Sequence, residues 1–171
     1  MKQTRAMAAV CVFGIFFASA AIAEPNKTLK QQLVGTWDYV VSEATTADGK
    51  KSFPFGEKPN GTLIFTYDGH FVQIHIAGDI PKLASNNRTT GSADENKAIV
   101  AGSIALFGTY TVDEEKKLVT YNVKASTYPN WDGTVQPRNI VVLNANEFVN
   151  ANPGASVGVG STSMNKYVRA K

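Results

Sequence analysis

The chain has one cysteine, Cys11, and it lies inside an apolar leader. Once that leader is removed no thiol remains, which excludes disulfides, thiolate metal sites and cysteine nucleophiles. Histidine is almost as scarce: His70 and His75 are the only two. They are five positions apart, an odd spacing, so on one strand they face opposite ways and cannot share a metal. Without a cluster of histidines and carboxylates, no metal site is expected. No Gly-x-Ser-x-Gly elbow surrounds any serine. The glycine-rich run from Gly154 to Gly160 neither follows a nucleotide-binding strand nor opens a helix, so it reads as a hairpin loop. No cofactor is called for. A surplus of one charge is missing too. The 17 Lys and Arg stand against 14 Asp and Glu. Lys2 and Arg5 leave with the leader and take no acid with them, so the balance falls close to neutrality. That removes the electrostatic case for a nucleic-acid partner.

Long apolar runs are absent after residue 23. Before it, Lys2 and Arg5 are followed by a small and apolar stretch from Ala6 to Ala20, with Phe13, Ile15, Phe16 and Phe17 at its centre. Ala21-Ile22-Ala23 then has the small-x-small form that signal peptidase cuts. The stretch is shorter than the ~20 residues of a membrane span, and Ala8-Ala9-Val10-Cys11 is unlike a lipoprotein box. Residues 1–23 therefore read as a signal peptide, and residues 24–171 as one exported domain, periplasmic or secreted. No integral membrane segment is expected after cleavage. A domain of about 150 residues buries about 68–70% of its unfolded surface, enough to hold without disulfides.

What is present is alternation. In Leu33-Val34-Gly35-Thr36-Trp37-Asp38-Tyr39-Val40-Val41, the residues Leu33, Gly35, Trp37, Tyr39 and Val41 share one parity, as on a two-faced strand. Gly35 leaves room on that face for another group to lie across or near the indole of Trp37. A second strand runs over Thr62–Tyr67, with Leu63, Phe65 and Tyr67 on one face. Asp68-Gly69 is the strongest hairpin signal, and His70–Ile76 returns from it with Phe71, Gln73 and His75 on one face. Phe53-Pro54-Phe55-Gly56 reads as a loop with an apolar anchor or as a turn packed under or across a barrel mouth. Ser92-Ala93-Asp94-Glu95 has the form of a capping box and predicts a helix from Ala93 to about Ala105. Further strands follow over Gly108–Asp113, Leu118–Lys124, Thr134–Leu143, Glu147–Asn150 and Ser163–Arg169. Pro137 cannot donate to a ladder, so it marks a strand end, an edge or a bulge. Eight short strands with tight turns predict an all-β antiparallel fold. An eight-stranded up-and-down barrel encloses room for side chains or one small ligand.

The motifs resemble those of the bacterial and fungal lipocalin-like domain family. The pieces that carry the resemblance are Leu33-Val34-Gly35-Thr36-Trp37, Pro54-Phe55-Gly56, Gly61-Thr62-Leu63-Ile64 with Tyr67-Asp68-Gly69, Gly108–Asp113, and Pro129–Thr134 with Gln136 and Arg138. The resemblance implies a lipocalin-like up-and-down β-barrel with one helix-bearing insertion and a small-molecule cavity. It also implies an arginine from a late strand lying across Trp37. Arg138 and Arg169 are the two candidates, and Arg169, in the strand that would close the barrel, is favoured. Arg138 is then freer to meet a ligand carboxylate or to form a buried pair. The family often carries histidine where this chain has Thr120-Tyr121-Asn122, so no role for an imidazole there carries over.

The leading expectation is an exported barrel that binds a small hydrophobic or amphipathic molecule. Trp37, Phe65, Tyr67, His75, Tyr110, Tyr121 and Arg138 are its candidate lining residues. A second reading is a cofactor-independent isomerase or cyclase using His75, Tyr121 or another tyrosine, and Arg138 as a convergent acid–base site. A third is an interaction module with a filled barrel, whose loops Ala77–Gly91 and Ala125–Gly133 meet a protein, with Trp131 exposed.

Overall fold

A computed structural model of the chain describes residues 27–154 and 160–171. Residues 1–26, which include the stretch read above as a signal peptide, lie outside the described residues, as does the 155–159 part of the glycine-rich run. Helix α1 spans Leu29–Leu33, and strands β1 (Gly35–Thr45), β2 (Lys51–Ser52), β3 (Asn60–Phe65) and β4 (His70–Ile76) follow. Helix α2 (Ala93–Gly102) leads into β5 (Ser103–Asp113) and β6 (Leu118–Ser126). A single 3-10 turn, Pro129–Trp131, precedes β7 (Val135–Leu143), β8 (Glu147–Asn152) and β9 (Thr162–Arg169). From β3 onward each strand pairs antiparallel with the next, β3 pairs with β1, and β9 returns to β1. Eight strands thus close an up-and-down barrel, while the two-residue β2 extends the rim of β1. The antiparallel barrel expected from alternation and turns is the fold observed.

Three local expectations are corrected. Strand β3 stops at Phe65, because Thr66 already opens the hairpin: its N–H donates to the His70 carbonyl at 2.9 Å, and Gly69 takes φ +92°. Tyr67 therefore leaves the inward face and is 79% exposed. Helix α2 is capped as expected, with Glu95 N–H donating to Ser92 Oγ (3.2 Å) and Ser92 N–H to Glu95 Oε2 (2.7 Å). It ends at Gly102, though, and β5 begins at Ser103. The two-residue period of Ile104, Leu106 and Tyr110, all buried, wins over helix continuation because β4 pairs with β5 from Ser103 to Thr109. Finally, β1 carries a bulge between Tyr39 and Val41. An extra residue flips the parity downstream, so Ser42 and Ala44 are buried in place of Val41.

Strand direction gives the barrel two unlike ends. One is closed. There, Leu33 is fully buried and its carbonyl accepts from Trp37 Nε1 at 2.8 Å. The guanidinium carbon of Arg169 lies 3.7 Å from the Trp37 ring centroid. Arg169 also donates to the carbonyls of Gln32 (2.6 Å), Val34 (2.8 Å) and Ala145 (3.2 Å). Gly35, at φ +125°, makes this approach feasible: a Cβ there would sit 2.8 Å from Arg169 Nη1. From the β5–β6 turn, Glu114 accepts the Leu29 and Lys30 N–H groups (2.7 and 3.1 Å), so α1 is pinned as a plug. The opposite end carries the long connections, including α2.

Arg169→Met should therefore lower stability by about 2–3 kcal/mol through the lost cation–π contact and charged hydrogen bonds. Gly35→Ala should cost about 1 kcal/mol or more from its left-handed backbone and the crowded guanidinium. Urea unfolding followed by tryptophan emission reads both. Midpoints unchanged in both variants would show that this clamp does not hold the closed end.

Candidate functional site

The inward residues sort by height along the barrel. The closed half is aromatic and filled. Phe65 meets Tyr110 edge-on at 4.8 Å, Phe71 stacks on Tyr121 at 4.3 Å, and Trp37 meets Phe148 at 5.6 Å. The open half is polar although equally buried: Gln73, His75, Arg138, Asn150, Asn152 and Asn165 all point inward. Strand pleat explains this placement. Gln73 and His75 share parity with Phe71 on β4, Asn150 and Asn152 with Phe148 on β8, and Asn165 with Tyr167 on β9.

Between the polar tips and the rim lies a cavity of about 40 Å³, bordered by Gln73, His75, Arg138 and Asn152, and covered by Phe55 and Trp131. A volume of that order holds about three waters or one small polar group. A wider groove of about 360 Å³ runs along β7 beside it and shares Trp131, Arg138 and Asn152 with the cavity. Pro137 is the local reason for the groove. From Val135 to Arg138 strand β7 pairs only with β6, and β8 joins it from Asn139 onward. The proline thus occupies a stretch that behaves as an edge, where its missing N–H costs nothing.

His75 is 2% exposed. Its ring stacks on Tyr39 with centroids 3.7 Å apart, Phe55 packs edge-on at 5.4 Å, and Nε2 lies 2.9 Å from the Tyr167 hydroxyl. Burial, helped by the nearby positive charge of Arg138, pushes its pKa down to about 3. The imidazole is neutral at physiological pH. Burial also raises the Tyr39, Tyr121 and Tyr167 hydroxyls above their ordinary range, so they stay protonated. The Tyr121 hydroxyl is buried without a hydrogen-bond partner among the described residues.

Arg138 is 3% exposed, and burial lowers its pKa, but a guanidinium keeps its charge in a protein. Nη2 donates to Gln136 Oε1 at 2.6 Å, and Nη1 to Asn152 Oδ1 at 2.9 Å and the Pro137 carbonyl at 3.1 Å. The guanidinium carbon stands 5.2 Å from the Tyr121 ring centroid. All these partners are neutral. Among the described residues no carboxylate pairs with Arg138. The arrangement is a fixed buried cation beside a neutral imidazole and aromatic walls. None of these titratable groups changes charge near neutrality.

Of the seven candidate lining residues, His75 and Arg138 border the cavity. Tyr121 lies directly beneath Arg138. Trp37, Phe65 and Tyr110 belong to the closed half, where they are buried in packing and the Tyr110 hydroxyl donates to the Thr66 carbonyl at 2.9 Å. Tyr67 is outside the barrel. His70 faces solvent near Asp68, on the opposite side of β4 from His75. Trp131, whose exposure would have favoured the interaction module, is half-buried against the core and meets Tyr128 edge-on. Phe55, Gln73, Trp131, Asn152 and Asn165 also line the cavity and are not among those seven. Their readable signal was shared parity with core aromatics, plus two aromatic-bearing loops at the same end.

A family model described as a lipocalin-like domain matches residues 34–170. No curated protein sequence matches the chain. Among solved structures the chain is similar to a lipocalin-like protein from Bacteroides uniformis, with 15% identity over 79% of this chain and 97% of that one (TM-score 0.41). It is also similar to a de novo designed fluorescence-activating β-barrel, with 14% identity over 84% and 99% (TM-score 0.43). Bovine odorant-binding protein, solved in complex with a selenium-containing odorant, shares 14% identity over 89% and 78% (TM-score 0.41).

The neutral His75 has a pH consequence. Unfolded, it takes a proton near pH 6.5; folded, it does so only near 3. The unfolded chain therefore binds more protons between these values, and stability falls as pH drops through that window. His75→Gln removes the contribution. Its plot of unfolding free energy against pH should be shallower than the parent's between pH 6.5 and 4, by up to about 1.4 kcal/mol per pH unit. Carboxylates common to both proteins cancel in the difference. Parallel plots would mean that His75 is not held neutral.

Proposed function

Because the chain belongs to the lipocalin-like domain family, a family of small-ligand binders, we propose that it takes up a small amphipathic molecule at the open, polar half of its barrel. The observation that carries this is the segregation of the interior. The closed half is filled with rings, while the open half keeps a cavity beside a buried cation that no carboxylate among the described residues neutralises. Phe55 and Trp131 cover that cavity from two separate loops, and an apolar ligand body has these two rings to pack against. The cavity itself admits only a polar head, so the body of the ligand displaces Phe55 or lies in the groove along β7. Binding is favoured over acid–base catalysis because His75 and the three buried tyrosines hold fixed protonation states around neutral pH.

We infer also that the protein is exported, on the basic start, the short apolar run and Ala21-Ile22-Ala23. The intact mass of protein from its own host should correspond to a chain beginning at Glu24. A mass that includes residues 1–23 would sink the inference.

The two tryptophans make the binding site testable, since Trp37 sits in the closed half and Trp131 at the open rim. Native mass spectrometry of gently purified protein should show a small molecule that leaves on denaturation. Adding that molecule back should change tryptophan emission in the parent. In Trp131→Phe the change should vanish while Trp37 emission remains. A response that persists in Trp131→Phe would move the site away from this rim.

A further inference from the structure

We propose that Arg138 is the anchor for a carboxylate, so that the ligand is a small organic acid with a flat apolar body; this rests on the open-end binding site argued above. A guanidinium has five N–H groups. Three of those on Arg138 are met by neutral acceptors, on Gln136, Asn152 and Pro137. The Nε–H and the remaining Nη2–H have no acceptor among the described residues. Burying an ion without a counter-ion carries a desolvation penalty, and the described residues of the wall offer no negative charge in return. Tyr167, Tyr121 and Tyr39 are neutral, and His75 neither carries a negative charge nor competes as a cation.

A carboxylate suits this edge because its two oxygens match two parallel guanidinium N–H groups. The cavity has room for a group of that size and little more. The surroundings select for the rest of the molecule. Phe55 and Trp131 present aromatic rings, and Ile104 and Pro54 complete an apolar rim. Inorganic anions would gain the charge contact and lose all of this apolar contact. A neutral molecule would gain the apolar contact and leave the guanidinium as it is.

Naphthalene-2-carboxylate and naphthalene-2-carboxamide share a ring and differ only in the head group, so they separate the two contributions. Titration of the full-length mature protein by calorimetry, with tryptophan emission as a second readout, should give the acid at least tenfold tighter binding than the amide. In Arg138→Gln that preference should collapse to about onefold, with amide affinity little changed. Should Arg138→Gln fail to fold, the acid-to-amide ratio in the parent protein still decides, and Arg138→Lys, which keeps the charge but loses the planar fork, should retain only part of the preference. Equal affinity for acid and amide overturns the anchor and leaves the open-end site standing. Displacement of the acid by equimolar sulfate overturns the organic-acid assignment in favour of an inorganic anion. No binding of either probe, together with no small molecule retained from the host, overturns the site and the anchor together.

Discussion

The return of β9 to β1 is the constraint on which the rest depends. An open eight-stranded sheet would present two unpaired edges, and this pairing removes both. Its register does more than close the barrel. Trp37 opposite Arg169 puts the guanidinium over the indole, and Tyr39 opposite Tyr167 puts two tyrosines around His75. The bulge after Tyr39 turns Ser42 and Ala44 inward at the rim. Ser42 then hydrogen-bonds to Asn165 of β9, and Asn165 donates on to Asn150 of β8 at 3.0 Å. One seam thus supplies the clamp at the closed end and part of the polar wall at the open end.

The two halves are built by different energetics. In the closed half, rings bury apolar area and pack edge-on or stacked, which is worth about 0.5–1.5 kcal/mol per pair beyond area burial. In the open half, amides and a guanidinium are taken out of water and must be compensated bond by bond. Compensation is incomplete: among the described residues the Tyr39 hydroxyl and Asn150 Nδ2, and the Tyr121 hydroxyl just below them, have no hydrogen-bond partner, and Arg138 meets only neutral acceptors. Such groups are retained at a cost to stability, as is common where an interior is made for something other than packing.

Much of the fold was legible because alternation and turn chemistry are local. Asp68-Gly69, the Ser92–Glu95 box and the parity of β4 all lie within a few residues of what they determine. Gly35 before Trp37 leaves room for a group near the indole; that the group is an arginine is what the family resemblance implies, and the place of Arg169 in the closing strand favours it over Arg138. The site was less legible, because parity says which face a residue takes and not how high it stands in the barrel. Trp37, Phe65 and Tyr110 face inward as read, but they stand in the filled half. Tyr67 has the right parity on a strand that ends two residues too soon. The bulge in β1 has no signature in the residues Tyr39-Val40-Val41, so Ser42 and Ala44 gave no hint of facing inward. The place of Trp131 at the cavity was not legible because nothing near it in sequence shows that β7 lacks its β8 partner there.

The separation of the ends also bears on how such a barrel changes over generations. Short turns, the α1 plug and the arginine–indole clamp sit where no loop at the rim touches them. With the open-end site proposed above, substitutions in the segments carrying Phe55, Trp131 and the rim asparagines would alter what the mouth accepts while the clamp goes on holding the barrel shut. Selectivity and persistence are therefore inherited through different residues, and one can drift while the other is kept.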